Sequence, residues 1–483
     1  MVISLSSWFY LLSSYSLKKA AYNDECTYVA QAYHFSEKSS LVTDFYIYES
    51  LLKQKPPLLP ARHIAYVVLL GTVYKIFGFH EGLYLYLNFL LFSIFLFCFY
   101  QFGVKKINLK RECWLAVLLL ISFPLINLLM RLLMADILII FLFFLLIWLM
   151  FFYDPPKNLK KWYPLMVVLL FWICYLSRQT AVFILPVFFV YIFKIKGFKK
   201  VLIYLGLFLA SFFLIYWFIE RFKTVYFYVP YGCALTFIQE GSWSKAVGVL
   251  SKNFLNNLKL FFTEWPTIYY SYAKVSFWVI VGLAASSYRF LLDSGKKLYK
   301  IVFIIFVIQY TSLLVLFNAA DWTGIRMMAY LIPFMFLLLV QGFLNVSTSR
   351  KVLSFVKGVI IFFVVCFFMM SFVVARNNYK YLKSLDHRQV GAKIILDKFI
   401  PKDKEVVVLS KIFDYRRMSI DFPNAIPIYM VQQVFTTPED LEKISRNFRY
   451  PDLMLLSYVN NVIVIFDGKA KIFDLKEFLN PKK

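Results

Sequence analysis

Twelve runs of apolar residues divide this chain, and they limit its fold more than any other feature of the sequence. They extend over approximately 2–16, 62–78, 82–104, 113–131, 135–153, 163–177, 180–195, 201–219, 275–292, 299–317, 326–346 and 353–375. Most have the ~20 residues with which an α-helix crosses ~30 Å of hydrocarbon. Apolar residues form 61% of the chain, whereas soluble domains contain ~45–50%. The sequence therefore predicts an all-α polytopic membrane protein rather than a soluble enzyme.

Basic residues between these runs predict the orientation. The net charge is +26, and Lys and Arg gather in short connections rather than on a patch suited to nucleic acid. Five clusters occupy every second connection, so all five can be cytoplasmic together. They are 105–111, 157–161, 194–200, 296–297 and 350–351. The intervening connections, and the tail after Arg376, then face the extracytoplasmic side.

Residues 62–78 break this alternation. With the N-terminus inside, a crossing by 62–78 would make 82–104 run outward. Lys105 and Lys106 would then lie on the extracytoplasmic side, against the positive-inside rule. We therefore expect 62–78 to lie along the outer leaflet, which leaves about eleven spans with the N-terminus inside and the C-terminus outside. In the alternative, 62–78 crosses and the N-terminus is outside, away from the other polar motifs.

Four regions follow from these patterns. We predict a front membrane module at 1–219, an outer loop at 220–274, a second membrane module at 275–375 and a small extracytoplasmic α/β domain at 376–483. The tail has helical patterns at 387–399 and 438–448 and strand-like runs at 405–409, 453–457 and 462–466. In the outer loop, an apolar stripe within 250–262 fits either an interfacial lid or ordinary surface packing.

Ionisable residues in the outward connections indicate a site, because charge at membrane depth is costly. Asp24 and Glu25 follow the first apolar run, between Tyr22 and Tyr28. A carboxylate there can accept the proton of an attacking hydroxyl, or it can be a solvated helix end. Lys55 stands before two prolines, where it either anchors at the headgroups or neutralises a lipid phosphate.

Three further groups lie in outward connections. Arg131 and Asp136 flank a helix junction, where they pair with each other or Asp136 faces the helix dipole. Arg178 and Gln179 occupy a short polar turn. Asp321, Trp322 and Arg326 precede a late apolar run, where Arg326 either holds a phosphate bidentately or snorkels to the headgroups.

In order and spacing, these residues resemble the GT-C superfamily of glycosyltransferases that use lipid-linked sugars. The nearest branch holds protein O-mannosyltransferases and the aminoarabinose transferases of lipid A. It has an Asp-Glu pair after the first helix, as at 24–25, and Lys-Pro-Pro-Leu before a stretch ending Phe-Gly, as at 55–58 and 77–78. It also has Arg-x4-Asp-x-Leu, as at 131–138.

Two later positions extend this resemblance, which covers 20–190 well and 320–335 moderately. Arg178 stands before Leu-Pro, where many relatives carry Lys, and Arg326 stands before an apolar run with Pro333. An Arg that often follows Phe-Gly is absent from 79–88. The resemblance implies the GT-C fold, with outer juxtamembrane helices in the first loop.

The resemblance also implies an activity in a bacterial plasma membrane. A single sugar would pass, with inversion, from a polyprenyl-phosphate donor to a lipid, glycan or protein acceptor on the extracytoplasmic face. Asp24 would be the general base, and Asp136 would orient the acceptor, the sugar or a neighbouring Arg. Lys55, Arg178 and Arg326 would bind the donor phosphate. The candidates to line the substrate are Tyr22, Tyr28, Arg131, Gln179, Asp321 and Trp322. No cofactor is predicted and no metal is required, although Glu25 would either tune Asp24 or bind a divalent cation.

Two other classes of membrane protein stay open. A transporter or flippase would carry charges near the midplane, often with inverted repeats, whereas no repeat is evident here and the charges share one predicted face. A polymerase or ligase of lipid-linked glycans would use an outer loop rich in Arg and His. Residues 220–274 contain Arg221 and no His.

Overall fold

Helices dominate the part of the chain that the computed structural model describes. The described residues are 23–39, 46–47, 63–107, 109, 112–131, 135–221, 237–238, 241–263, 301–302, 304–305, 308, 329–346, 350–400, 406–410, 425–429, 461–466 and 469–474. The helices are α1 (Asn23–Lys38), α2 (Ile64–Phe77), α3 (Leu83–Lys105), α4 (Cys113–Ser122), α5 (Pro124–Arg131), α6 (Asp136–Phe152), α7 (Tyr163–Ser177), α8 (Leu185–Lys196), α9 (Phe198–Arg221), α10 (Trp243–Thr263), α11 (Ile332–Val346) and α12 (Arg350–Leu396). Short 3-10 helices are Lys157–Leu159, Gln179–Ile184 and Ala329–Leu331.

Several of the predicted apolar runs coincide with these helices. Runs 82–104, 135–153 and 163–177 become α3, α6 and α7. Among the described residues, three helices are long and apolar enough to cross a membrane: α3, Phe198–Ile215 of α9 and Leu353–Val373 of α12. The chain is therefore a membrane protein. The total of eleven spans stays a prediction, because 2–16, 275–292 and most of 299–317 lie outside the described residues.

Residues 113–131 form two helices rather than one straight segment. α4 and α5 meet at an angle of 60° and together make a broken span or a re-entrant loop. The break lies at Phe123, whose ψ of 124° is extended. Pro124 explains it, because the ring of a proline disfavours helical geometry in the residue before it.

The last predicted span and the first predicted helix of the tail are one element. α12 has 47 residues, a length of ~70 Å at 1.5 Å per residue. The change in composition near Arg376 does not end the helix, because no proline occurs before Pro401. The helix therefore continues through residues 375–376, and the domain boundary expected there stays a prediction.

Two compact units make up the chain. The first contains Met1–Ser16, Leu85–Leu214 and Phe227–Asn377, and the second contains Leu17–Tyr84, Ile215–Tyr226 and Asn378–Lys483. In the core of the first unit, Phe144 of α6 packs edge-on against Phe95 and Phe102 of α3, with ring centroids 5.4 and 5.3 Å away. It also stacks on Phe334 of α11 at 5.3 Å. Such aromatic pairs contribute beyond the area they bury.

In the second unit, α1 packs against α2 through a close contact at Gly71. A Cβ built on Gly71 would lie 2.7 Å from the carbonyl oxygen of Ala32 and 2.7 Å from Cδ1 of Phe35. On the same face, burial and the charge of Glu81 raise the pKa of the Tyr74 phenol far above its usual value. α2 has 14 residues, a length of ~21 Å that is short of the ~30 Å hydrocarbon thickness. α7, which is predicted to cross, has 15 residues, so length does not distinguish the two helices. The expectation that 62–78 does not cross stays a prediction.

The second unit also holds a five-stranded sheet in the order β1-β3-β2-β4-β5. The strands are β1 (Tyr46–Ile47), β2 (Val406–Ser410), β3 (Ala425–Tyr429), β4 (Asn461–Phe466) and β5 (Lys469–Asp474). All neighbours are parallel except the antiparallel pair β4–β5. The runs predicted at 405–409 and 462–466 overlap β2 and β4, whereas 453–457 and the helix at 438–448 lie outside the described residues. β1 comes from the first loop, where no strand is predicted, and pairs Tyr46 with Ile428.

Candidate active site

The acidic pair predicted as the catalytic group opens α1. Asp24 and Glu25 are its second and third residues, where the partial positive charge of a helix N-terminus favours carboxylates. Tyr28 follows Asp24 by one turn of α1. Its buried ring meets the His63 ring edge-on at 5.3 Å and the Tyr66 ring at 6.3 Å. Aromatic packing therefore holds the turn of α1 that follows the acidic pair.

His63 occupies a strained position at the start of α2. Its φ of 60° and ψ of 33° lie in the left-handed region, a backbone conformation that residues other than glycine rarely adopt. Such strain is often stored near functional sites. The sequence gives no signal for it, because a positive φ at a histidine cannot be read from residue order.

Arg178 and Asp136 form a buried ion pair in the first unit. Asp136 is the first residue of α6, and Arg178 follows the last residue of α7. Nη1 of Arg178 donates to Oδ1 of Asp136 at 2.8 Å, with side chains only 8% and 1% exposed. α6 and α7 pack against each other, so the start of one meets the end of the next. Of the roles predicted for Asp136, orienting a neighbouring Arg agrees with this contact.

Arg131 ends the second half of the bent pair and is also buried. Its Nε donates to the carbonyl oxygen of Asn127 at 3.2 Å. Asn127 Nδ2 donates to Ser371 Oγ at 2.8 Å, and Ser371 Oγ donates to the Ser122 carbonyl oxygen at 2.7 Å. These bonds connect α4 and α5, on the two sides of the break, to Ser371 of α12. The Ser122 carbonyl oxygen, next to the bend, thereby gains a hydrogen-bond partner.

Tyr330 is a candidate that the motifs do not identify. It lies in the 3-10 helix Ala329–Leu331, which packs against α6. Its ring stacks on Phe143 with centroids 4.0 Å apart. Its hydroxyl is buried without a hydrogen-bond partner among the described residues, and the charge of Arg178 acts on it. In the sequence, the one feature that points to Tyr330 as a site residue is its position four residues after Arg326.

Several predicted site residues cannot be placed against these groups. Tyr22, Lys55, Asp321, Trp322 and Arg326 lie outside the described residues. Gln179 opens the 3-10 helix Gln179–Ile184, directly after Arg178. Within the part of the chain that the structure describes, no group of three or more His, Cys, Asp or Glu side chains is arranged to hold a metal ion. The joint site of Asp24, Lys55, Arg178 and Arg326 therefore stays a prediction.

Comparison with known proteins gives a likeness in fold. The structure is similar to the crystal structure of ArnT from Cupriavidus metallidurans bound to undecaprenyl phosphate, with a TM-score of 0.54 and 10% sequence identity. The apo structure of that protein gives a TM-score of 0.52 and 12% identity. Each match covers 100% of this chain and 98% of the ArnT chain.

The corresponding searches by sequence find nothing. No family model matches the chain, and no curated protein matches it. At 10–12% identity the likeness to ArnT concerns the fold, and it extends over the whole chain. This likeness in fold agrees with the resemblance predicted from the sequence motifs.

Proposed function

We propose that this chain is a membrane glycosyltransferase that moves a single sugar from a polyprenyl-phosphate donor to an acceptor hydroxyl, with inversion at the anomeric carbon. One observation carries the proposal. The ArnT structure with undecaprenyl phosphate bound shares the fold over the whole chain, and the family motifs occur here in the same order. A polyprenyl phosphate is a membrane lipid, and the apolar helices described above suit a protein that draws its donor from the bilayer.

Asp24 is the proposed general base. Its carboxylate takes the proton of the acceptor hydroxyl as the hydroxyl oxygen attacks the anomeric carbon. The bond between that carbon and the phosphate oxygen breaks, and the lipid phosphate leaves with the electron pair. The position of Asp24 in the first turn of α1 agrees with this role, because an ionised carboxylate is the form that accepts a proton and a helix N-terminus accommodates negative charge.

Lys55, Arg178 and Arg326 are the proposed ligands of the leaving phosphate. Negative charge on that phosphate grows in the transition state, so fixed cations lower the barrier more than they tighten ground-state binding. The buried bond from Arg178 to Asp136 supports a fixed orientation for this guanidinium. A guanidinium carries five N–H donors in a rigid plane, so it can bond to a carboxylate and a phosphate at once.

Tyr330 extends the proposed phosphate site. A buried phenol without a partner among the described residues loses hydrogen-bond energy unless a ligand or water satisfies it. Its stacking on Phe143 holds the ring in place, and Arg178 acts on the same hydroxyl. A donor phosphate that reaches Arg178 would give the Tyr330 hydroxyl an acceptor.

Mass spectrometry of glycolipids and glycoproteins, in cells with and without the gene, tests the proposal and identifies the sugar and acceptor. We expect one class of lipid, glycan or protein to lose a single sugar mass when the gene is deleted. The corresponding polyprenyl-phosphate sugar should accumulate. Unchanged glycan profiles together with an unchanged donor pool would contradict the proposal.

A transporter or flippase of lipid-linked glycans is the second candidate. The bent pair α4 and α5 favours it, because broken helices build the binding sites of many transporters. A cysteine introduced next to Arg131 separates the two functions. Labelling from one side of the membrane agrees with a transferase, whereas labelling from both sides in alternation indicates transport.

A further inference from the structure

Two connections of the first unit are rich in exposed lysines. The connection between α6 and α7 carries Lys157, Lys160 and Lys161. The turn between α8 and α9 is flanked by Lys194, Lys196, Lys199 and Lys200. Asp154 is the only acidic residue between Asp136 and Glu220. The seven lysines, called the lysine cluster below, therefore have a single carboxylate near them in the sequence.

Tyr163, the first residue of α7, joins the two connections. The Lys196 ammonium at the end of α8 lies over its ring, 5.2 Å from the centroid. The Tyr163 hydroxyl donates to the Leu149 carbonyl oxygen of α6 at 2.6 Å. The Tyr191 hydroxyl of α8 donates to the Phe151 carbonyl oxygen of α6 at 3.1 Å. The ends of α6 and α8 and the start of α7 therefore meet, and this brings the lysines of both connections to one place.

Backbone hydrogen bonds shape both connections. The Leu159 N–H donates to the Pro156 carbonyl oxygen at 2.9 Å, and the Trp162 N–H donates to the Leu159 carbonyl oxygen at 3.0 Å. Gly197, with φ of 73°, ends α8, and its N–H donates to the Phe193 carbonyl oxygen at 3.1 Å. Glycine adopts this left-handed conformation at little cost. The lysines therefore extend from a backbone in defined turns.

The lysine cluster lies where an apolar span begins. The segment of α9 that is apolar enough to cross a bilayer starts at Phe198. Large apolar side chains beside the lysines are uncovered, with Trp162 59%, Phe193 57% and Phe198 62% exposed. Tryptophan is enriched where a bilayer meets water, and lysines near helix ends reach toward headgroups. The cluster is therefore placed at the level of lipid phosphates.

An uncovered apolar stripe continues from the lysine cluster along α9. Leu202, Leu205 and Leu209 are all exposed, and their spacing of three and four residues puts them on one side of the helix. A lipid whose phosphate meets the lysines can lay an acyl chain along this stripe. The surface thus offers cations and an apolar track in the order in which a phospholipid presents its own groups.

Charge decides which phospholipid suits this surface. Ammonium groups gathered on two adjoining turns repel one another, and salt screens charges only in part within ~8 Å. An anion that binds among them relieves this repulsion. A zwitterionic headgroup brings its own cation and relieves it less than a headgroup with net negative charge.

We propose that the lysine cluster binds the headgroups of anionic phospholipids, with the ammonium groups on phosphodiester oxygens and an acyl chain along the leucine stripe of α9. Lysines distributed singly over the loops would orient the chain in the membrane equally well. Their convergence through Tyr163 and Lys196 is what points to a ligand. The inference is independent of the proposed sugar transfer.

Native mass spectrometry of the full-length protein in detergent tests this inference. The protein is titrated with dioleoylphosphatidylglycerol or with dioleoylphosphatidylcholine. We expect phosphatidylglycerol adducts to exceed phosphatidylcholine adducts several-fold at equal lipid concentration. Equal adducts of the two lipids would overturn the inference.

A matched pair of variants locates the lipid. Replacing Lys160, Lys161, Lys199 and Lys200 together with Gln should weaken phosphatidylglycerol binding by at least about tenfold, because each lysine near a lipid surface contributes to binding. Replacing Lys105 and Lys106 with Gln is the control, since these exposed neighbours end a different helix, α3. It should change binding by less than about twofold. Equal weakening in both variants would show a general effect of charge and would overturn the lysine cluster as the site.

Two measurements on the unmodified chain guard against a variant that fails to fold. The preference for phosphatidylglycerol should shrink as ammonium acetate is raised, because salt screens the ammonium groups. A preference that ignores salt would overturn the electrostatic account. Inorganic phosphate at the concentration of the lipid should leave the lipid adducts in place, because it lacks an acyl chain. Displacement of the lipid by phosphate would assign the lysines to a soluble anion and overturn the lipid proposal.

Discussion

Arg178 and Asp136 connect the end of α7 to the start of α6 through an ion pair of 2.8 Å that is almost wholly buried. Removing two charges from water is costly, and their attraction compensates only when the geometry is good. The pair therefore holds the helix ends together and also sets the direction of the guanidinium proposed to meet the donor phosphate.

Asp136→Ala should lower the free energy of unfolding by about 3–5 kcal/mol, because it leaves Arg178 buried beside no counter-charge. Arg178→Ala should do the same, and the double variant should lose less than the sum of the two. Thermal unfolding of the purified protein measures all three. Glu112→Ala is the control, because its pair with Lys357 at 3.1 Å is partly exposed and should contribute at most about 1 kcal/mol. Equal losses at Asp136 and Glu112 would contradict this account of the buried pair.

Gly71→Ala should destabilise the second unit, because the new methyl group would meet the Ala32 carbonyl oxygen and the Phe35 ring. We expect a loss of about 1–3 kcal/mol, the usual effect of overpacking. Gly206→Ala in α9 is the matched control, since a Cβ there meets nothing within 4 Å. That variant should be neutral or gain up to about 1 kcal/mol from helix propensity. A stable Gly71→Ala protein would refute the close packing of α1 on α2.

Ser371→Ala should destabilise the bent pair by about 1–3 kcal/mol, because the Asn127 side chain and the Ser122 carbonyl oxygen both lose a buried partner. Ser93→Ala is the control, since Ser93 bonds only to the Phe89 carbonyl oxygen within its own helix among the bonds the structure describes. The two melting temperatures should differ by several degrees. Equal melting temperatures would show that the bonds to α12 do not hold the break.

Apolar runs predict several helices of this fold, because lipid requires long apolar segments, whereas the orientation read from charge stays a prediction. The bounds of α3, α6 and α7 follow directly from the apolar runs 82–104, 135–153 and 163–177. The break at Phe123 follows from Pro124. Hydropathy alone does not predict it, because 113–131 is apolar throughout and is counted as one segment. The continuity of α12 is missed for the opposite reason, since its composition changes while its helical geometry does not.

The contacts of the candidate site are harder to predict from the sequence, because the residues that meet there lie far apart along the chain. Asp136 and Arg178 are both identified as charges at helix junctions, yet 42 positions separate them and Arg131 is the nearer partner for Asp136 in sequence. Tyr330 and His63 depend on burial and on a positive φ, neither of which residue order encodes. β1 is likewise hidden, because two residues that pair with a strand near the other end of the chain carry no local signal.

Arg326→Ala should weaken binding of the polyprenyl-phosphate donor more than it changes the choice of acceptor, because a guanidinium recognises phosphate and not the attacking hydroxyl. Donor affinity and acceptor preference are measured separately on the purified protein. Arg326→Lys keeps the charge but loses the bidentate geometry, so it should restore donor binding in part. Unchanged donor affinity in Arg326→Ala would reject its phosphate role.

The most direct measurement is the rate of sugar transfer by purified Asp24→Asn protein in nanodiscs, supplied with the donor and acceptor that the glycan profiles identify. A positioned general base contributes about 10²–10⁴-fold, so transfer should fall by that factor while the variant still inserts and binds the donor. Glu25→Gln should lose much less. An Asp24→Asn protein that transfers sugar at the wild-type rate would contradict Asp24 as the base and the mechanism built on it.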